Sequence, residues 1–326
     1  VGILFSNLIL MFSLMLPPLL DNYKTEVIDN MICDYQYILK MPVETDTQGA
    51  EKYAVTTLET NFKNSEKSDE ITVYGVDKES DYVKAGFIDR NSVYVSEGIL
   101  EKFGLKVGDN LDLKTKYDDK TYRLTISGTY KYPAALAVFT DIENFRNKFE
   151  KSDDYFSGYF SNKEITDIDD KLIASKITQK DLTVISDQLT DSMGGMFPMV
   201  SAFAILLYML LVYLLSKIII EKNANSVSIV KILGYQNGEI TRLYIISTAI
   251  VAIFSVIISL PISYLLMKII YSELISSFSG WLSFYIEPMV YVKMLVFGIL
   301  AYAVVGALQF RKIKKIPMEE ALKNAE

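Results

Sequence analysis

The 326-residue sequence has no histidine, one cysteine and one tryptophan. Without histidine, Ser-His-Asp triads, Cys-His pairs and most zinc sites lose an essential member. A single cysteine, Cys33, rules out an intramolecular disulfide. It reads as a small buried apolar residue. There is no Gly-x4-Gly-Lys-Ser/Thr loop, so ATP phosphates are not held here by that motif. Charge is missing over long stretches. Val1–Leu20 and Leu243–Met267 carry none, Met196–Ile220 carries only Lys217, and Met289–Phe310 carries only Lys293.

Each of these stretches is long enough to cross a bilayer as a helix, at about 1.5 Å per residue over a core of about 30 Å. Mean hydropathy is +0.22 although 22% of residues are charged. Both hold only if apolar and charged residues are segregated, and they are. Residues 21–195 hold 22 basic and 33 acidic residues; the remainder holds 11 basic and 7 acidic. An acidic lobe of net charge −11 argues against nucleic acid, which needs a basic surface. Asp153, Asp154, Glu164, Asp167, Asp169 and Asp170 lack the ligand spacing and central glycine of a calcium loop and read as a solvated face. No pair of carboxylates stands out as an acid and base. No catalytic residue, metal site or cofactor is expected.

The first apolar run ends in Pro17-Pro18-Leu19-Leu20, where a signal peptide would have small residues. It therefore reads as a first span, in a chain that starts inside it, a fragment of something longer. Residues 21–195 read as one α+β lobe. Asp21–Tyr37 is expected to be helical and Gln48–Glu70 loop-rich or partly helical. Ile71–Val76, Ser92–Ser96, Asn110–Thr115 and Thr121–Tyr130 alternate as strands do. Glu97–Phe103 reads as a short helix closed by Gly104, and Ile142–Phe149 as another. Leu136–Phe139 is an apolar run, and Leu182–Ile185 is read as a last strand. Gly194-Gly195 is the expected hinge before the second span. Pro261 is expected to kink the third span. Trp281 with Tyr271, Phe278, Phe284 and Tyr285 reads as an aromatic belt at an interface, with Lys217, Lys268 and Lys293 placed to snorkel.

The resulting arrangement is a multi-pass α-helical membrane protein, with four transmembrane helices and the α+β domain inserted between the first two. Its parts are helix 1 (1–20), the outer domain (21–195), helix 2 (196–220), a polar segment (221–242), helix 3 (243–270), an outer connector (271–288), helix 4 (289–310) and a basic tail (311–326). The tail carries Arg311, Lys312, Lys314 and Lys315, and the polar segment carries Lys222, Lys231 and Arg242. The connector carries no basic residue. The positive-inside rule then places tail and polar segment in the cytoplasm and the lobe outside the plasma membrane. Pro317 and Met318–Leu322 are expected to form a short surface helix in the tail.

The polar segment organises this plan. It is too polar to lie in hydrocarbon, yet Val227, Ile229, Val230, Ile232 and Leu233 give it an apolar side before Gly234 stops the helix. Such a helix either lies on the membrane surface or docks in a partner's groove. The stretch SVSIVKILGYQNGEITRLYI resembles the polar loop after the second span of FtsX-like and MacB-like permeases of the ABC transporter class. There Gly234 matches in identity, and Ile229, Leu233, Ile240, Arg242 and Leu243 in kind. The tail RKIKKIPMEEAL resembles that family's ending. SVYVSEGILEKFGLKVGDNLDL followed by YRLTISGTYKY resembles its outer domain. Ser226 and Asn225 depart from the family's acidic and basic residues at those places, so the grip on a partner there is expected to differ.

The resemblance implies a non-catalytic permease or mechanotransmission subunit. A separate cytoplasmic ABC ATPase would be bound through Val227, Ile229, Val230, Leu233, Gly234, Ile240 and Arg242. Movement would pass through Gly194 and Gly195 to the outer lobe, for export or extraction of a peptide, lipoprotein or antimicrobial, or for control of an outer partner. The other implied partners are membrane lipid, a second permease module (upstream in the same chain or in a homodimer) and an extracytoplasmic peptide or protein. The fragment resembles the C-terminal module of a two-module permease. The competing reading from the residues is a membrane-anchored receptor or adaptor that needs no ATPase.

Overall fold

A computed structural model describes residues 2–61, 68–86, 91–116, 120–278 and 280–314. The chain forms two compact units. One comprises the chain up to Leu19, Asp191–Ile270 and the chain from Tyr285. The other comprises Leu20–Thr190 and Tyr271–Phe284.

The first unit is helical. Among the described residues four stretches are long and apolar enough to cross a membrane: Ile3–Asp29, Met196–Ile218, Ala249–Ser276 and Pro288–Phe310. They belong to helices α1 (Gly2–Asp29), α5 (Met196–Lys222), α7 (Asn237–Ser276) and α8 (Pro288–Lys314). Large apolar side chains such as Phe203, Leu206, Phe254, Ile258, Leu265 and Leu300 point outward, as a lipid-facing surface requires. Tyr208, Val212, Val256, Ala301 and Val305 form the core between α5, α7 and α8.

Polar groups tie the helices at a few points. The Asn7 amide donates to Ser259 Oγ, whose own hydroxyl donates to the Val256 carbonyl. Ser13 pairs with Ser201, and Gln309 donates to the Tyr213 carbonyl. In hydrocarbon such contacts contribute roughly 0.6–2 kcal/mol each. Pro17 and Pro18 lie inside α1, and Pro261 lies inside α7.

The second unit is a sheet-rich lobe with ten strands among the described residues. The strands are β1 (Tyr35–Leu39), β2 (Glu51–Asn61), β3 (Ser68–Val76), β4 (Val93–Ser96), β5 (Asn110–Lys114), β6 (Thr121–Thr125), β7 (Gly128–Tyr130), β8 (Ala137–Asp141), β9 (Gly158–Ser161) and β10 (Ile173–Thr178). Their order is β10-β1-β9-β2-β3-β8-β4-β7, and the β5–β6 hairpin joins β2 at its far end. Most neighbours are antiparallel; β3–β8 and β4–β7 are parallel. Leu111 and Leu113 point inward from the alternating β5. Helix α2 (Glu97–Phe103) ends at Gly104, which is left-handed at φ 62°. Helix α3 (Ile142–Lys148) begins at Asp141, whose carboxylate accepts from the Glu143 amide at 2.9 Å.

One core of the lobe is aliphatic, around Ile71, Val73, Val95, Ile99, Leu113 and Val138. The other is aromatic. Tyr53 stacks on Phe160 at 4.1 Å and Tyr74 on Phe139 at 5.2 Å. The Gln36 amide donates to both tyrosine hydroxyls, at 3.2 and 3.3 Å. Gly158 makes this stack possible: a Cβ there would lie 2.0 Å from the Tyr37 carbonyl oxygen.

Several expectations fail here. Within the segment 48–70, expected to be loop-rich or partly helical, residues 51–61 and 68–70 are strand, forming β2 and the start of β3. Leu182–Ile185 is not a strand but lies in helix α4 (Gln179–Met193). Thr121–Tyr130 is two strands, β6 and β7, with different neighbours. Helix α1 runs to Asp29 and stops well short of Tyr37, which is in β1. Trp281, expected in an aromatic belt, packs partly buried against the aliphatic core of the lobe.

Candidate functional site

The polar segment becomes a short helix between two long ones. Helix α5 ends at Lys222, α6 spans Ala224–Ile232, and α7 starts at Asn237. Two features end α6. The Tyr235 amide returns to the Val230 carbonyl at 3.3 Å, and Gly234 takes the left-handed conformation at φ 92°. Glycine is favoured there because any Cβ would crowd the backbone. Glu239 then starts α7: its carboxylate accepts from the Gln236 amide at 3.0 Å, the return half of a capping box. Four residues, Leu233 to Gln236, thus form a turn held at both ends.

The apolar residues of α6 divide between two sides. Val227 is buried and so is Ser228, whereas Ile229, Ile232 and Leu233 are 50%, 53% and 71% exposed. Helical geometry explains the split. At about 100° per residue, Ile229, Ile232 and Leu233 fall within one arc, and Val227 lies opposite. The expected single apolar side is therefore corrected: Val227 anchors α6 inward, Val230 is half-buried, and the outward apolar patch is Ile229, Ile232 and Leu233. Tyr235, just past Gly234, adds a further ring that is 57% exposed. It was not among the expected site residues, although its place one residue beyond the stop glycine is readable in the sequence.

Arg242 is exposed on the second turn of α7, and Ile240 lies on the same helix, its side chain outside the described residues. Gly194 and Gly195 form the turn between α4 and α5. Arg311, Lys312 and Lys314 lie in the last turn of α8, with their side chains outside the described residues. Lys315, Pro317 and Met318–Leu322 also lie outside them. The structure thus brings Ile229, Ile232 and Leu233 together as one patch and leaves Val227 out of it.

This patch can bind but has no group with which to react. Covering an exposed Ile or Leu side chain contributes about 1.5–3 kcal/mol, so three such side chains and a tyrosine are enough for a specific helix-in-groove contact. Among the described residues, no group of three or more histidine, cysteine or acidic side chains is placed to hold a metal ion.

The comparisons with known proteins bear on this region. Residues 198–318 match the family profile described as FtsX-like permease C-terminal. The match covers α5, α6, α7 and α8 and therefore includes the whole polar segment. No curated protein matches the chain. Three apolar helices interrupted by this short polar helix are what the profile covers, and residues 198–318 are similar in sequence to the C-terminal part of FtsX-like permeases.

Proposed function

We propose that the chain is the mechanotransmission subunit of an ABC transporter, non-catalytic itself and worked by a separate cytoplasmic ATPase. The observation that carries this reading is the outward apolar patch on α6, with Leu233 71% exposed in a segment too polar for hydrocarbon. Exposed apolar side chains grouped on a polar helix are a surface awaiting a partner. The family match at residues 198–318 supports an ATPase as that partner. Helix α6 is the coupling helix, Val227 seats it on the membrane unit, and Ile229, Ile232, Leu233 and Tyr235 enter the ATPase groove. Gly234, Val230, Ile240 and Arg242 shape the rim. The lobe is the extracytoplasmic, MacB-like domain, and Gly194-Gly195 is the flexible joint beside it. The basic tail Arg311, Lys312, Lys314 and Lys315 stays in the cytoplasm. A second permease module, in the same polypeptide or in a homodimer, completes the assembly in the plasma membrane. The work done outside is movement of a peptide, lipoprotein or antimicrobial, or of an outer protein partner.

The test is co-purification of the full chain with candidate ABC ATPases from co-expressing cells, beside Leu233→Asp. The wild type should retain an ATPase through a detergent wash. The variant should lose it by at least tenfold while still fractionating with membranes. An ATPase held equally by both would refute the coupling role of α6. Absence of any ATPase from the wild type would favour the receptor or adaptor reading instead.

A further inference from the structure

The connector between the third and fourth spans is part of the lobe. Within that unit, Lys102 of α2 is a fully buried ammonium, with its side chain 0% exposed. It donates to Asp69 Oδ1 at 2.6 Å, to the Phe278 carbonyl at 2.7 Å and to the Gly280 carbonyl at 2.9 Å. An ammonium has three N–H donors, so all three are used. Two of the three partners are main-chain oxygens of the connector. A buried charge is tolerated only when paired and fully hydrogen-bonded. Lys102 therefore needs the connector in this conformation as much as the connector needs Lys102.

Gly280 takes φ +98°, a conformation natural to glycine. One turn earlier on α2, Gly98 faces the next connector residue. A Cβ on Gly98 would lie 2.7 Å from Trp281 Cδ1, so the missing side chain is the slot for the indole. Trp281 packs there against the aliphatic core. The connector is closed on itself as well: Tyr271 Oη donates to the Leu282 carbonyl at 2.8 Å, and its ring lies 5.2 Å from Phe284. Gly98 and Lys102 are four residues apart and so lie on one face of α2.

We propose that this face of α2 is a clasp that fixes the connector to the outer lobe, with Lys102 as its positioning residue. The chain then has a third link between lobe and membrane, through α7 and α8, besides α1 and the passage through Gly194-Gly195. On the transmission reading above, a displacement of the lobe reaches the third and fourth spans by the chain itself. A lobe attached only at its two ends would leave those spans free of it.

Hydrogen exchange of the full chain in lipid nanodiscs tests the clasp. Lys102→Met alone leaves the Asp69 carboxylate buried without its partner and risks misfolding, so the decisive variant is Asp69→Asn with Lys102→Met. Amides of residues 277–284 should exchange at least tenfold faster than in the wild type, while those of β3 and β8 keep their protection. A spin-label pair at Lys78→Cys and Ser283→Cys should broaden from one narrow distance to a wide distribution in the same variant. Unchanged exchange and an unchanged distance would overturn the clasp. Loss of protection throughout the lobe would overturn it too, since Lys102 would then serve only the fold. No ATPase is needed for either measurement, so the clasp and the coupling role of α6 stand or fall separately.

Discussion

Cys33 shows what one residue can report. Its thiol is buried and donates to the Tyr35 carbonyl at 3.2 Å. Burial, the largest influence, pushes it up from an ordinary value of 9.0 to about 12. The reactive thiolate is therefore scarce at neutral pH. Maleimide at pH 8 should leave the folded protein unlabelled and modify it at once after denaturation; rapid labelling of the native form would contradict this burial. The linkage has a definite sign. The folded thiol holds its proton more tightly than the unfolded one, so its contribution to stability is complete below pH 9 and is lost as pH rises from about 9 to about 12. The sequence supplied the residue and the correct bland reading. It did not supply Lys102 or Gly98, because a lysine and a glycine in a short helix look like surface until the connector, more than 170 residues later, is folded against them.

At the level of elements, legibility followed periodicity. Helix α2 with its Gly104 stop, α3 and the alternating β5 were readable because local pattern and tertiary role agree in them. Strand β2 was not. Its residues 51–61 mix Glu, Lys and Thr with apolar positions, and its burial comes from partners on both edges, the adjoining β3 and β9, which is distant in sequence. Leu182–Ile185 looked like a strand through its β-branched content, but it forms one turn of the fifteen-residue α4, whose Asp187 meets Lys24 of α1 at 2.7 Å. Within the polar segment the helix and its stop were legible, while the division of its apolar residues between two sides needed the helical arc to be drawn. The joint after α4 yields a prediction of its own. A Cβ on Gly195 would meet no atom within 4 Å, and its φ is not left-handed. Gly195→Ala therefore favours helix by roughly 1 kcal/mol, and amides at 194–197 should exchange about fivefold more slowly. Unchanged exchange would mean that the break between α4 and α5 is already rigid.

For the whole molecule the decisive matter is which side of the membrane each part occupies. In the proposed arrangement, four spans put the lobe on one side, and the polar segment and tail on the other. The bias of basic residues then orients the set: five in residues 311–326, three in residues 221–242 and none in 271–288. The acidic lobe does not weigh against this, because large domains cross the membrane largely regardless of their charge. Because the native thiol of Cys33 is buried, an introduced cysteine can report alone. Lys78 lies in an exposed turn of the lobe, and Lys222 is exposed at the end of α5. In intact cells a membrane-impermeant maleimide should label Lys78→Cys and leave Lys222→Cys untouched until the membrane is opened. The reverse pattern would put α6 outside the cell, beyond reach of any cytoplasmic ATPase, and the coupling reading would fail with it. The clasp at Lys102 would survive that result, because it depends only on lobe and connector sharing one side. Labelling of both sites in intact cells would instead break the four-span arrangement, since a single crossing, α5, separates the lobe from α6.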